Sequence, residues 1–147
     1  MPSSSSEPGR WLAVDYGKRR IGLALSDELG WNARPLEVYK RRELQLDLQY
    51  LTEVATRHDV TRVVVGVPYR VDGTTGPAAE EALEFAEQVR DAVAPIELKT
   101  QDEAFTSQEA DRLMDARGIK DRGRRKSLRD AYAAAVILQE HLKAHVR

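Results

Sequence analysis

The order of elements along the chain predicts an α/β fold. It is a mixed five-stranded sheet, an antiparallel meander joined to parallel strands, flanked by helices. Three observations predict it. Three short apolar runs with tight connections open the chain, the apolar period then becomes helical, and a β-branched run bounded by Gly and Pro follows. The last is how a strand buried on both faces reads.

Trp11 to Asp15 is a short apolar run ending in an acid before Tyr16-Gly17, and Ile21 to Leu25 is a second after the turn-like Gly17-Lys18-Arg19-Arg20. Leu36 to Tyr39, after Pro35, is the third strand of the meander. From Glu43 to His58, Leu44, Leu48, Leu51 and Ala55 recur at helical spacing. Val60 to Val67, with Val63-Val64-Val65-Gly66, is the buried parallel strand. A loop with Pro68, Gly73 and Gly76 leads to a helix over Pro77 to Val93, Pro77 standing in its first turn. Ala82, Ala86, Val89 and Val93 mark the inward face of that helix. Pro95 to Gln101 is the last strand. Thr106-Ser107-Gln108-Glu109 fits a capping box that opens a helix to about Ala116. After a basic loop around Gly118 and Gly123, Ser127 to Val146 is a long helix with Ala131, Ala134, Ala135, Leu138 and Leu142 on its apolar side.

A chain of 147 residues with this pattern is expected to form one domain over 11–147, preceded by a flexible Ser-rich tail over 1–10. The tail lacks the apolar stretch of a signal peptide, and no apolar run approaches the ~20 residues of a membrane span. The absence of cysteine excludes disulfides, thiolate zinc sites and a thiol nucleophile, and a reducing cytoplasm is the expected location. The net charge of −1 argues at face value against a nucleic-acid partner. Its distribution is uneven. Arg117, Lys120, Arg122, Arg124, Arg125, Lys126 and Arg129 face a single Asp121, whereas Glu80, Glu81, Glu84, Glu87 and Asp91 make the stretch before Pro95 acidic. Lys18-Arg19-Arg20 and Lys40-Arg41-Arg42 are further basic clusters.

Acids stand at three places where core residues are expected. Asp15 ends the first strand, Asp102 and Glu103 end the last one, and Asp130 shares the apolar stripe of the final helix with Ala134 and Ile137. Each alone has an ordinary explanation as a turn former, a solvated strand end or a favourable charge in a first helical turn. Together, converging strand ends and a helix start would form an all-oxygen cluster, the donor set that selects Mg²⁺ or Mn²⁺. Two such ions can assist phosphodiester cleavage by water. Successive strand residues face opposite sides, so periodicity leaves open whether Asp102 or Glu103 joins Asp15.

The motifs carry a family resemblance. Val14-Asp15-Tyr16-Gly17 with Arg20-Ile21-Gly22-Leu23-Ala24 and Ser26-Asp27, then Val63-Val64-Val65-Gly66-Val67-Pro68, then Asp102-Glu103 with Phe105-Thr106-Ser107, and finally Asp130 with Ala133-Ala134-Ala135 and Ile137-Leu138 stand in order along the chain. This series resembles the YqgF/RuvX family of RNase H-like proteins, known as pre-16S rRNA nucleases or Holliday junction resolvases. The resemblance implies an RNase H-like fold and a metal-dependent nuclease. It carries the catalytic role onto Asp15, Glu103, Asp102 and Asp130, with Asp15, Glu103 and Asp130 as metal ligands. Ala104 departs from the family pattern, which has Arg after the Asp-Glu pair.

The expected activity is hydrolysis of nucleic acid, foremost the 5′ end of precursor 16S rRNA. The alternatives are branched DNA, or RNA binding without catalysis, which Ala104 favours. A nucleotide phosphotransferase of the actin-like type would need two such lobes, and the chain has one. Lys18, Arg19, Arg20, Arg122, Arg124, Arg125, Lys126 and Arg129 are the expected phosphate contacts. The partner is nucleic acid, not a membrane, and the protein is expected as a monomer or homodimer. Gly17 and Gly22 suit either close approach of a phosphate backbone or chain packing, and Asp72 to Gly76 reads as a turn. His141 and His145 read as cations at a helix C-terminus. Trp11, Trp31 and Tyr69 are candidates for base stacking or for the core.

Overall fold

A computed structural model describes residues 9–104 and 106–145. Of the expected tail, residues 1–8 lie outside the described residues, and Arg10 already belongs to the first strand. The strands are β1 (Arg10–Asp15), β2 (Arg20–Ser26), β3 (Ala33–Lys40), β4 (Val60–Val67) and β5 (Glu97–Asp102). The helices are α1 (Leu44–Arg57), α2 (Pro77–Val93), α3 (Thr106–Ala116) and α4 (Arg122–His145). They appear in the expected β-β-β-α-β-α-β-α-α order.

The sheet order is β3-β2-β1-β4-β5. β1 pairs antiparallel with β2 and parallel with β4, β2 pairs antiparallel with β3, and β4 pairs parallel with β5. The run of valines in β4 is buried on both faces, as a strand between two helical layers must be. Leu12, Val14, Leu23, Val63 and Val65 pack with Leu51, Val54, Phe85 and Val89 of α1 and α2. On the other face Trp11, Ala13, Ala24 and Val64 meet Ala134, Ala135, Leu138 and Leu142 of α4. Alanines on both sides of that contact let the helix lie close to the sheet. α3 packs on the outer side of α4 through Ala110, Met114, Tyr132 and Val136.

β5 runs Glu97–Asp102 and leaves Pro95 outside the strand expected to start there. Three further local readings change. β3 is longer than expected and includes Pro35, which sits where the β2–β3 register shifts on an edge strand and so costs no central ladder bond. The capping box does not form. Thr106 is already helical and its hydroxyl reaches the Glu103 carbonyl at 3.5 Å, while Glu109 pairs with Arg112. α4 starts at Arg122 and not at Ser127, because Asp121 caps it by accepting the Arg124 amide at 2.8 Å. The basic segment read as a loop is therefore the first two turns of a helix.

α4 touches β2 at one very tight point. A Cβ placed on Gly22 would stand 1.9 Å from the Asp130 carbonyl oxygen. Only glycine permits that approach, so packing explains Gly22. Gly22→Ala is expected to cost about 3 kcal/mol by pushing α4 off the sheet, read as a lower urea midpoint at unchanged slope. An unchanged midpoint would show that α4 does not need this contact.

Candidate active site

Asp15 ends β1 on the face covered by α4, since Trp11 and Ala13 face that side at the preceding odd positions. Its register partner on β2 is Gly22, the residue pressed against Asp130. Asp130 is thus brought beside Asp15 by a glycine contact and a strand pairing. Glu103 follows β5, its amide donating to the Val67 carbonyl at 3.2 Å. That bond extends the β4–β5 ladder by one residue and turns Glu103 inward, whereas Asp102 is exposed. Of the two acids that periodicity could not separate, Glu103 is the one that meets Asp15.

Asp15 and Glu103 lie on strands separated by β4, and the residue between them on that face is Gly66. A Cβ there would be 2.5 Å from Glu103 Oε2 and 2.5 Å from Ile137 Cδ1. The missing side chain makes the space in which two carboxyl groups touch. They share a hydrogen bond. Burial, then the charge of Glu103, the hydrogen bond Asp15 donates to it and the charge of Asp130 hold the Asp15 carboxyl well above the usual carboxylate range. Burial also raises Glu103, offset by its bond to Asp15 and reinforced by Asp102. Two adjacent acids that cannot both ionise cheaply retain a proton between them.

Asp130 sits within electrostatic reach of this pair, but its Oδ2 accepts a hydrogen bond from Arg20 Nε at 2.9 Å. Among the described residues no group of three His, Cys, Asp or Glu side chains is already arranged around a cation position. The expectation of three converging acids is therefore met as a touching pair with a third acid turned to an arginine. The donor set still suits a hard divalent cation. It is all oxygen, and the buried Glu103 Oε2 has no hydrogen-bond partner among the described residues. Burying such an oxygen without a partner is costly, and a cation would relieve both that cost and the carboxylate repulsion.

The expected phosphate contacts divide. Lys18, Arg19, Arg20, Arg122, Arg124, Lys126 and Arg129 are exposed, although Lys18 lies 3.6 Å from Glu81 and Arg129 lies 3.8 Å from Asp111. Arg125 is different. Its guanidinium donates to Asp115 at 2.5 Å, to the Ile119 and Asp111 carbonyls at 3.0 and 3.1 Å, and reaches Asp111 Oδ1 at 3.5 Å. It clamps α3 to α4, which corrects its reading as a surface contact. His141 is likewise a core residue and not an exposed helix-end cation. It is buried, with Nδ1 2.8 Å from Gln101 Oε1 and its ring 5.0 Å from that of Trp11. The His145 side chain lies outside the described residues. Trp11 is buried and Trp31 is exposed.

Sequence reasoning missed Asp47. It is fully buried on α1, accepting hydrogen bonds from Tyr39 Oη at 2.9 Å, Arg41 Nε at 2.9 Å and the Arg42 amide at 2.8 Å. Arg41 also donates to the Gly17 carbonyl at 3.2 Å and lies over the Tyr16 and Phe85 rings. This network anchors the β1–β2 turn immediately after Asp15. The signal was present, since Asp47 stands three residues after Leu44 and four before Leu51, on the apolar stripe of α1.

The sheet order and its flanking helices are those of an RNase H-like fold. A family model described as "RuvX: Holliday junction resolvase" matches residues 9–144, and the chain belongs to that family. A "Putative pre-16S rRNA nuclease" of Desulforamulus reducens is 38% identical over 133 residues, covering 90% of this chain and 96% of that protein. One of the same name from Anaeromyxobacter sp. (strain K) is 46% identical over 131 residues, covering 88% and 93%. Among solved structures, Thermus thermophilus RuvC in complex with Holliday junction substrate has a TM-score of 0.61 at 21% identity over 92% of this chain and 94% of that one. The fowlpox virus resolvase bound to Holliday junction DNA has a TM-score of 0.59 at 10% identity, covering 94% and 99%. At these identities the two structures share the fold.

The retained proton has a measurable consequence. A carboxyl whose folded pKa is raised adds stability below its unfolded pKa and loses it as pH rises through the folded value. Metal-free Asp15→Asn, which removes that ionisation, is expected to gain at least ~1 kcal/mol, about 3 °C in Tm, at pH 8. The gain should vanish near pH 4. A variant less stable than the parent at pH 8 would mean that folding does not raise the Asp15 carboxyl.

Proposed function

We propose that this protein is a divalent-metal-dependent nuclease that hydrolyses phosphodiester bonds, acting in the cytoplasm on the 5′ end of precursor 16S rRNA. The observation that carries the reading is the Asp15–Glu103 contact, two half-buried carboxyl groups beside a third acid, with the buried Glu103 Oε2 lacking a hydrogen-bond partner among the described residues. A structural role would not require such a pair, whereas a cation site does. Family membership and the names of the relatives support the choice of nucleic acid and of rRNA.

Asp15, Glu103 and Asp130 would hold Mg²⁺ or Mn²⁺, which supplies charge neutralisation at the scissile phosphate and a more acidic bound water. The residues themselves do the following. A cation would need Asp15 and Glu103 ionised, and because burial raises both, cation affinity is expected to fall as pH is lowered. Gly66, lacking a side chain, leaves the space that Glu103 Oε2 and Ile137 approach. Arg122, Arg124, Lys126, Arg129, Lys18 and Arg19 bind backbone phosphates without reading sequence. Ala104 is exposed beside Glu103 and leaves the three acids in place.

The test is a cleavage panel of single-stranded RNA, precursor 16S rRNA and a four-way DNA junction with Mg²⁺ or Mn²⁺. Precursor rRNA is expected to be cut. Asp15→Asn, Glu103→Gln and Asp130→Asn should each lower the rate about a hundredfold or more. Asp102→Asn, at the exposed strand end, should stay within about threefold. Undiminished cleavage by Asp15→Asn would sink the mechanism. Cleavage confined to the four-way junction would favour branched DNA, the substrate in the family's description.

The two kinds of arginine on α4 separate in a second experiment. Lys126→Gln should weaken RNA binding and reduce the slope of log K against log salt by about 1. Arg125→Gln should leave that slope unchanged and lower stability by about 1–2 kcal/mol in urea. Identical slopes in both variants would remove Lys126 from the phosphate-binding surface.

A further inference from the structure

Two arginine–aspartate pairs border the site at the same 2.9 Å, and they are built differently. Arg41 and Asp47 are 15% and 0% exposed, and each has several further contacts. Arg20 and Asp130 are 52% and 29% exposed and joined by one hydrogen bond. A half-exposed pair of this kind is weak and opens readily. Arg20 is also directly opposite Lys40 across the β2–β3 pairing, and both side chains are exposed. Like charges so placed repel each other and attract an anion between them.

We propose that Arg20 is an exchangeable counter-ion of the site. In the metal-free protein its guanidinium holds Asp130. When a divalent cation takes that carboxylate, Arg20 is released beside Lys40 and turns to a phosphate of the nucleic acid. The inference rests on the nuclease reading of the same acids and adds a residue that couples the filling of the site to substrate binding. No covalent step is involved. Arg20 and the cation compete for one carboxylate, so removing the arginine strengthens cation binding and weakens phosphate binding. A merely structural arginine would weaken both or neither. The opposite signs identify the exchange.

Calorimetric titration with Mn²⁺ alone, without nucleic acid, compares the parent protein with Arg20→Gln, Arg20→Lys, Arg34→Gln and Asp15→Asn. Arg34, exposed near the other end of the β2–β3 pairing opposite Leu25, controls for loss of one positive charge. Arg20→Gln should bind Mn²⁺ about three- to tenfold more tightly and Arg20→Lys should fall between it and the parent. Arg34→Gln should change affinity less than about twofold. Fluorescence anisotropy with a phosphorothioate single-stranded RNA in saturating Mn²⁺ should show Arg20→Gln binding about three- to tenfold more weakly. Unchanged or weaker Mn²⁺ binding by Arg20→Gln overturns the exchange while leaving the metal reading intact. If that variant fails to fold by circular dichroism, absence of any tightening in Arg20→Lys overturns it. A parent that binds no Mn²⁺, or an Asp15→Asn variant that binds it equally well, overturns the metal reading and the exchange together.

Discussion

The site depends on one contact that the fold must force, two carboxyl groups meeting across an intervening strand. Asp15 ends β1 and Glu103 follows β5, and β4 runs between them. Any side chain on β4 at that level would hold them apart. Gly66 removes the obstacle, and the bond from the Glu103 amide to Val67 continues the sheet far enough to swing the longer carboxylate over it. A short Asp directly on the central strand and a longer Glu one residue beyond an outer strand are therefore complementary in reach. Burial and mutual repulsion then set the electrostatics, holding the Asp15 carboxyl well above the usual carboxylate range.

The helix that completes the site is positioned by the same means, the omission of side chains. α4 lies on Ala13, Ala24 and Gly22 with its own Ala134 and Ala135, and its first buried turn carries Asp130. Its exposed N-terminal turns carry Arg122, Arg124, Lys126 and Arg129. Residues 122, 126 and 130 follow at intervals of four, so a basic ridge about 12 Å long leads along one face to the acid. Arg125 falls off that ridge and ties the helix to α3 through Asp111 and Asp115. One helix thus supplies an acid to the site, a basic approach to it and the clamp that keeps the approach rigid.

Much of this was legible in the chain because it follows periodicity. β4 and α2 have the boundaries their apolar runs and their flanking Gly and Pro residues indicate. Asp15 and Asp130 were visible as acids on otherwise apolar faces. What could not be read depends on one-residue choices or on partners distant in sequence. Asp102 against Glu103 is decided by a single bond to Val67, which only the β4–β5 register reveals. The start of α4 was obscured because Gly118 and Gly123 resemble a loop, while Asp121, counted only as a charge, is the cap. Arg125 looks like its neighbours until α3 is packed beside it. Asp47 obeyed the rule that exposed Asp15 and Asp130, an acid on an apolar stripe, and was passed over because it lies in a helix with no motif around it.

Asp47 and Asp15 differ in how the fold meets their charge. Asp47 is fully buried, yet three donors satisfy it, and its arginine is itself anchored by a carbonyl and two aromatic rings. Its burial is balanced inside the protein. Asp15 has another acid as its neighbour, and that acid has an oxygen with no partner among the described residues. Each influence acting on Asp15 raises its carboxyl, and none comes from a donor or a cation. Local rules of satisfaction are broken at this one point while being kept a few residues away, which is the pattern expected where stability yields to function. The same contrast explains why a net charge of −1 is compatible with a nucleic-acid partner. Acids such as Asp47, Asp111 and Asp115 are neutralised within the fold, and the proposed cation would reverse the local sign at the site. The exposed lysines and arginines of α4 and the β1–β2 turn are what a polyanion would meet.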